Sequence, residues 1–98
     1  MYSRIVNVKL KPGTVDEAIK IYENSVVPAA KKVEGYQGGY LLVDREKGTG
    51  ISIAIYDTKE NMEASDKSGY LQEQFNKFGE VFSAPPETTV FENAINIK

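Results

Sequence analysis

The sequence predicts an α+β fold of order β-α-β-β-α-β: a four-stranded antiparallel sheet with two helices on one face. Three observations lead there. Tyr40–Val43 and Ile51–Tyr56 are apolar, β-prone runs around a polar turn that contains Gly48 and Gly50, the sequence form of a β-hairpin. A helix-like periodicity lies on each side of that hairpin. Each end of the chain carries one more strand-like run.

Taken in order, Ser3–Lys11 alternates imperfectly, with Arg4, Val6, Val8 and Leu10 on one face and Ile5, Asn7 and Lys9 on the other. Lys11-Pro12-Gly13 ends the strand, because proline lacks an amide donor and glycine permits the turn. Thr14 and Glu17 have capping-box spacing and open a helix whose stripe runs Val15, Ile19, Tyr22, Val26, Ala30 and Val33. Pro28 removes a backbone bond inside it and predicts a kink or a weakened turn; Gly35 stops the helix.

The second strand is expected over about Tyr36–Asp44, with Gly38-Gly39 suggesting a bulge or a close approach by another backbone or a ligand. In the third, Ile51, Ile53 and Ile55 share one face and Ser52, Ala54 and Tyr56 the other. Neither face is strongly polar, which fits a sheet buried on both sides. Asp57 or Thr58 caps a thinly apolar helix at Lys59–Lys67, and Ser68-Gly69 interrupts it. A second piece follows with Leu71, Phe75, Phe78 and Phe82 on one stripe. Ala84-Pro85-Pro86-Glu87 then connects to a last strand at Thr88–Ile97.

This order is the ferredoxin-like split βαβ arrangement, in one domain spanning 1–98. Its helices cover one face of the sheet, yet the other face also carries Val, Ile or Tyr on its strands. Left open, it would form a large apolar patch. The expected remedy is a second copy packing sheet to sheet, a twofold homodimer.

Composition removes several classes of chemistry. With 12 basic against 14 acidic residues and a net charge of −2, nucleic acid is not an expected partner. The chain has no cysteine and no histidine. That excludes thiolate or imidazole metal sites, Ser-His and Cys-His nucleophiles, and a histidine-held haem. No metal and no cofactor is expected. The opening Met-Tyr-Ser-Arg-Ile-Val does not read as a signal peptide, and no apolar run approaches the roughly 20 residues that span a bilayer. The expectation is a cytoplasmic protein without membrane contact.

Leu10-Lys11-Pro12-Gly13, Val26-Val27-Pro28-Ala29-Ala30-Lys31 and Gly35-Tyr36-Gln37-Gly38-Gly39-Tyr40 together resemble the antibiotic biosynthesis monooxygenase-like family. So do Leu41-Leu42-Val43-Asp44-Arg45 and Ala84-Pro85-Pro86. The resemblance covers essentially the whole chain and implies a dimeric α+β barrel. It rests on turn glycines, a helix proline and hairpin apolars, which speak for fold more than for reaction. Members include cofactor-free monooxygenases of aromatic phenols and haem-degrading enzymes. In both, a helix-borne Asn followed four residues later by Trp helps to form the site. Asn61 matches the Asn, but Ser65 stands where the Trp would be, and the chain has no Trp. The haem-degrading branch also uses a histidine ligand, absent here, so the resemblance does not extend to haem degradation.

Candidate substrate-binding residues are Tyr22, Tyr40, Asn61, Ser65, Tyr70 and Phe75. Asn61 and Ser65 share a helix face at i and i+4; the bland alternative is a polar surface position in the first turn. Tyr22, Tyr40, Tyr56 and Tyr70 fall at or beside the sheet–helix layer, where a phenol orients a substrate or fills half-buried space. Phe75, Phe78, Phe82 and Phe91 either wall an apolar pocket or form plain core. Arg4 binds an anionic ligand group or makes a rim salt bridge. Asp16, Glu17, Asp57 and Glu60 are sufficiently explained by capping, so no catalytic residue is assigned. Two functions fit: a cofactor-independent monooxygenase acting on a small aromatic or enolic substrate between sheet and helices, or a non-catalytic small-molecule-binding or structural dimer.

Overall fold

Strand β1 (Tyr2–Lys9) lies inside the sheet, paired antiparallel on one side with β3 (Thr49–Tyr56) and on the other with β4 (Glu87–Glu92). Strand β2 (Tyr36–Asp44) completes the hairpin with β3, giving the order β2-β3-β1-β4. This computed structural model describes residues 1–97. The ferredoxin-like topology read from the sequence is the one observed. Asp44 fixes the hairpin turn, its Oδ1 accepting from the amides of Glu46 and Lys47 at 3.0 Å each.

One helical arm runs through α1 (Val15–Ile21), a π-turn at Tyr22–Val26 and α2 (Val27–Ala30). The wide turn sits just before Pro28, whose ring and missing amide disturb the regular ladder. The capping box does not form: Thr14 Oγ1 donates to Lys11 O at 2.7 Å, held by the preceding turn. Gly35 has φ +84°, and a Cβ there would run into Asp57 and Asn61. The second arm is α3 (Lys59–Lys67) and α4 (Tyr70–Lys77), with Thr58 capping α3 through the Asn61 amide at 3.1 Å. Gly69 lies between them.

Leu10, Ala18, Phe78 and Val81 form the central core between the arms and the sheet. Phe82 falls beyond α4 rather than on its stripe. It stacks on Phe78 at 5.3 Å and pairs through its backbone with Leu10. The last strand is shorter than the expected Thr88–Ile97. Its ladder needs β1, and β1 is used up where Tyr2 faces Glu92 and the Asn93 amide reaches Met1 O. Among the described residues no helix is long and apolar enough to cross a membrane.

The Gly38 bulge decides which side chains face the helices. Tyr36 pairs with Tyr56 on the helix side, but after the register shift Gly38 pairs with Ile55 and Tyr40 with Ile53 on the open side. Tyr40 is therefore not in the sheet–helix layer, where the sequence reading put it. The open side carries Ile5, Tyr40, Leu42, Ile51, Ile53 and Phe91, with no helix or strand of the described residues over them.

Candidate functional site

A cavity of about 70 Å³ lies between the helix side of the sheet and the two helical arms. Its sheet wall includes Val6, Leu41 and Ala54; the π-turn supplies Tyr22 and Val26; α4 supplies Tyr70, Leu71, Gln74 and Phe75. The alternation of β1 aims Arg4 at the same layer as Val6, which places a guanidinium in a wall that is otherwise mostly apolar.

Arg4 is only 3% exposed, and a buried charge demands partners. Nη1 donates to Asp66 Oδ1 at 2.5 Å and to Ser65 Oγ at 3.1 Å, and Nη2 donates to the Tyr56 hydroxyl at 3.2 Å. The guanidinium also lies 5.2 Å from the centre of the Tyr56 ring, a cation–π contact. Behind it, Ser65 Oγ donates to Met62 O at 2.7 Å. The cation is thereby held in one place by α3 and β3.

Phenols surround it. Tyr22 and Ser52 hydroxyls meet at 3.2 Å, linking the π-turn to β3, and Tyr36 packs edge-on against Tyr56 at 5.9 Å. Burial pushes the Tyr70 phenol up to about 12; neighbouring Tyr56 adds to the shift and Arg4 opposes it. Burial, then Tyr22 and Tyr56, raise Tyr36 as well. Both therefore stay protonated at neutral pH, as hydrogen-bond donors rather than bases.

The structure brings Tyr22, Tyr70 and Phe75 together around the cavity and places Ser65 one layer behind, on Arg4. Asn61 is turned away: its Nδ2 donates to Asp57 Oδ1 at 2.9 Å, tying α3 to the end of β3. Tyr40 lies on the opposite face of the sheet, 61% exposed. The sequence does not single out Gln74 or Tyr36, and for Arg4 it supports both anion binding and a rim salt bridge. Gln74 did carry a signal, since it falls on the apolar stripe between Leu71 and Phe78. Among the described residues no group of three or more Asp and Glu could hold a metal ion.

No protein-family model matches the chain. Two uncharacterized proteins of Mycobacterium tuberculosis, Rv2557 and Rv2558, are 36% and 35% identical to it over 66 and 65 residues, each match covering 66% of this chain. The matched regions are 30% and 28% of those relatives, so this chain corresponds to a minor part of their length. Solved structures align over nearly its whole length. A Nitrosomonas europaea protein proposed to be an antibiotic biosynthesis monooxygenase superposes with TM-score 0.76 at 14% identity, covering 97% of this chain and all of that one. A Streptomyces coelicolor monooxygenase crystallised with nanaomycin D gives 0.75 at 15% identity, covering 99% and 90%. A Nitrosomonas europaea protein of unknown function, NE2512, gives 0.77 at 16%, covering 99% and 92%. The chain thus has the α+β fold of the antibiotic biosynthesis monooxygenase proteins, the group its sequence resembles.

Proposed function

We propose that the cavity binds a small aromatic or enolic molecule and that the protein acts on it as a cofactor-independent monooxygenase. One observation carries the reading: an apolar cavity bounded by the Arg4 guanidinium and by phenols held protonated. Donors fixed in a low-dielectric site stabilise an enolate or phenolate as its charge develops. Such an anion supplies the electrons for oxygen itself. In the balanced reaction a ring CH2 and O2 give a carbonyl and water, four electrons passing from substrate to oxygen. A cavity of about 150 Å³ accommodates benzene, so entry of an aromatic ring requires α4 to shift outward. The Ser68-Gly69 break before α4 provides the pivot. The same reading pairs two copies through the open sheet face, where Tyr40, Leu42 and Phe91 gain cover.

A second reading, ligand binding without turnover, draws on Asn61 and Ser65. The side chain of Asn61 is engaged outside the cavity, and Ser65 supplies no ring. Oxygen uptake by the purified protein with phenols, hydroquinones and cyclic 1,3-diketones separates the two. The oxygenase reading expects protein-dependent uptake, with one oxygen atom in the product. Binding without any uptake across the panel leaves the second reading.

A further inference from the structure

Among the described residues, four polar side-chain groups around the cavity lack a hydrogen-bond partner: Arg4 Nε and the Gln74 amide NH2, which only donate, and the Tyr70 and Tyr36 hydroxyls, which can donate. Arg4 spends Nη1 and Nη2 on Asp66, Ser65 and Tyr56, but among the described residues its Nε has no hydrogen-bond partner. No buried side-chain nitrogen or oxygen of the described residues is sealed off without a partner, so this nitrogen keeps some accessible surface, and Arg4 lines the cavity. Gln74 is 5% exposed and also lines it. Its Oε1 accepts from Lys77 Nζ at 3.0 Å. An ammonium only donates, so that contact fixes the oxygen toward Lys77 and leaves the amide NH2 unpartnered. The Tyr70 and Tyr36 hydroxyls are the third and fourth, also without a protein partner among the described residues.

A wall with free donors and no free carboxylate selects an acceptor-only group. A neutral phenol, with its proton lost only near pH 10, brings a donor of its own. A carboxylate is ionised at neutral pH and only accepts. Charge agrees. Asp66, which pairs with Arg4, is 34% exposed and so partly screened by water, while Arg4 itself is buried. Lys77 adds a second positive charge beside Gln74. From this we infer that the cavity takes a small carboxylate, its oxygens accepting hydrogen bonds from Arg4 Nε, the Gln74 amide and the Tyr70 hydroxyl. The inference rests on the cavity being a ligand site, as proposed above, and names the group that the ligand carries. At about 70 Å³ the cavity suits a short branched acid before it suits an aromatic one.

The test is a titration of the full-length, 15N-labelled protein with isobutyrate and benzoate, and with their neutral isosteres isobutyramide and benzamide. The acids are expected to shift the Arg4 Nε–H and Gln74 side-chain amide signals. The amides should bind about tenfold more weakly, a difference of about 1.4 kcal/mol. Gln74→Met keeps the length and loses the donor; Tyr70→Phe loses only the hydroxyl. Either variant, with its backbone spectrum retained, should weaken isobutyrate about tenfold. Equal affinity for acid and amide, or acid binding unaffected by both variants, overturns the inference. If catechol or phenol enters the cavity while the acids show no preference, this inference falls and the oxygenase pocket stands. If no probe perturbs the cavity residues, both fall.

Discussion

Tyr56 and Tyr40 belong to adjacent strands of one sheet and have the same side chain, yet Tyr56 is 0% exposed and Tyr40 is 61% exposed. On the helix side Tyr56 carries a hydrogen bond from Arg4 and packs against Tyr36. On the other side Tyr40 stands with Leu42 and Phe91, 50% and 57% exposed, with no helix or strand of the described residues above them. The difference is one of cover rather than composition. A patch of this kind calls for a partner surface, while the covered side keeps a small internal space lined by Arg4, Gln74 and phenols. In the proposed reading, the sheet separates a ligand layer from an assembly layer.

The largest expected effect comes from disturbing the covered side. Phe78→Ala removes a buried ring that stacks on Phe82, and urea unfolding should show a loss of about 3–5 kcal/mol. A loss under about 1 kcal/mol would mean that the helix layer packs too loosely to hold a defined cavity.

On the open side, Ile53→Asp should act on assembly instead. Sedimentation is expected to show a dimer for the unaltered protein and a folded monomer for the variant, with about 1 kcal/mol lost from the monomer through weaker strand propensity. A variant that remains dimeric would move the interface elsewhere.

The smallest effect is a pH slope. Tyr70 holds its proton up to about 12 when folded, against 10.0 for an ordinary phenol. The unfolded chain therefore binds fewer protons above pH 10, and stability present below that pH is lost progressively toward pH 12. Tyr70→Phe should make the loss shallower. An unchanged slope would place the Tyr70 hydroxyl in water rather than at the cavity.

Much of this architecture was legible in local pattern. The predicted limits of β2 and α3, Tyr36–Asp44 and Lys59–Lys67, are those observed, because glycine, threonine and turn chemistry mark them locally. What escaped depends on partners distant in sequence. Asn93, Ile95 and Ile97 continue the alternation of β4, but β1 has no residues left to pair with them. The bulge at Gly38 was legible as a bulge, yet its consequence, reversing the phase so that Tyr40 faces out while Tyr36 faces in, requires the register with β3. Arg4 was in phase with Val6 and Val8 from the start. Its burial became legible only with Asp66, Ser65 and Tyr56 around it, on elements 52 to 62 residues away.

A crystal structure grown with catechol decides whether ligand and assembly functions lie on opposite sides of one sheet. The expected result is a ring between Tyr22, Tyr70 and Phe75, α4 displaced outward to admit it, and a catechol oxygen directed at Arg4. Catechol bound only against Tyr40, Leu42 and Ile53, with the cavity unchanged, would contradict it.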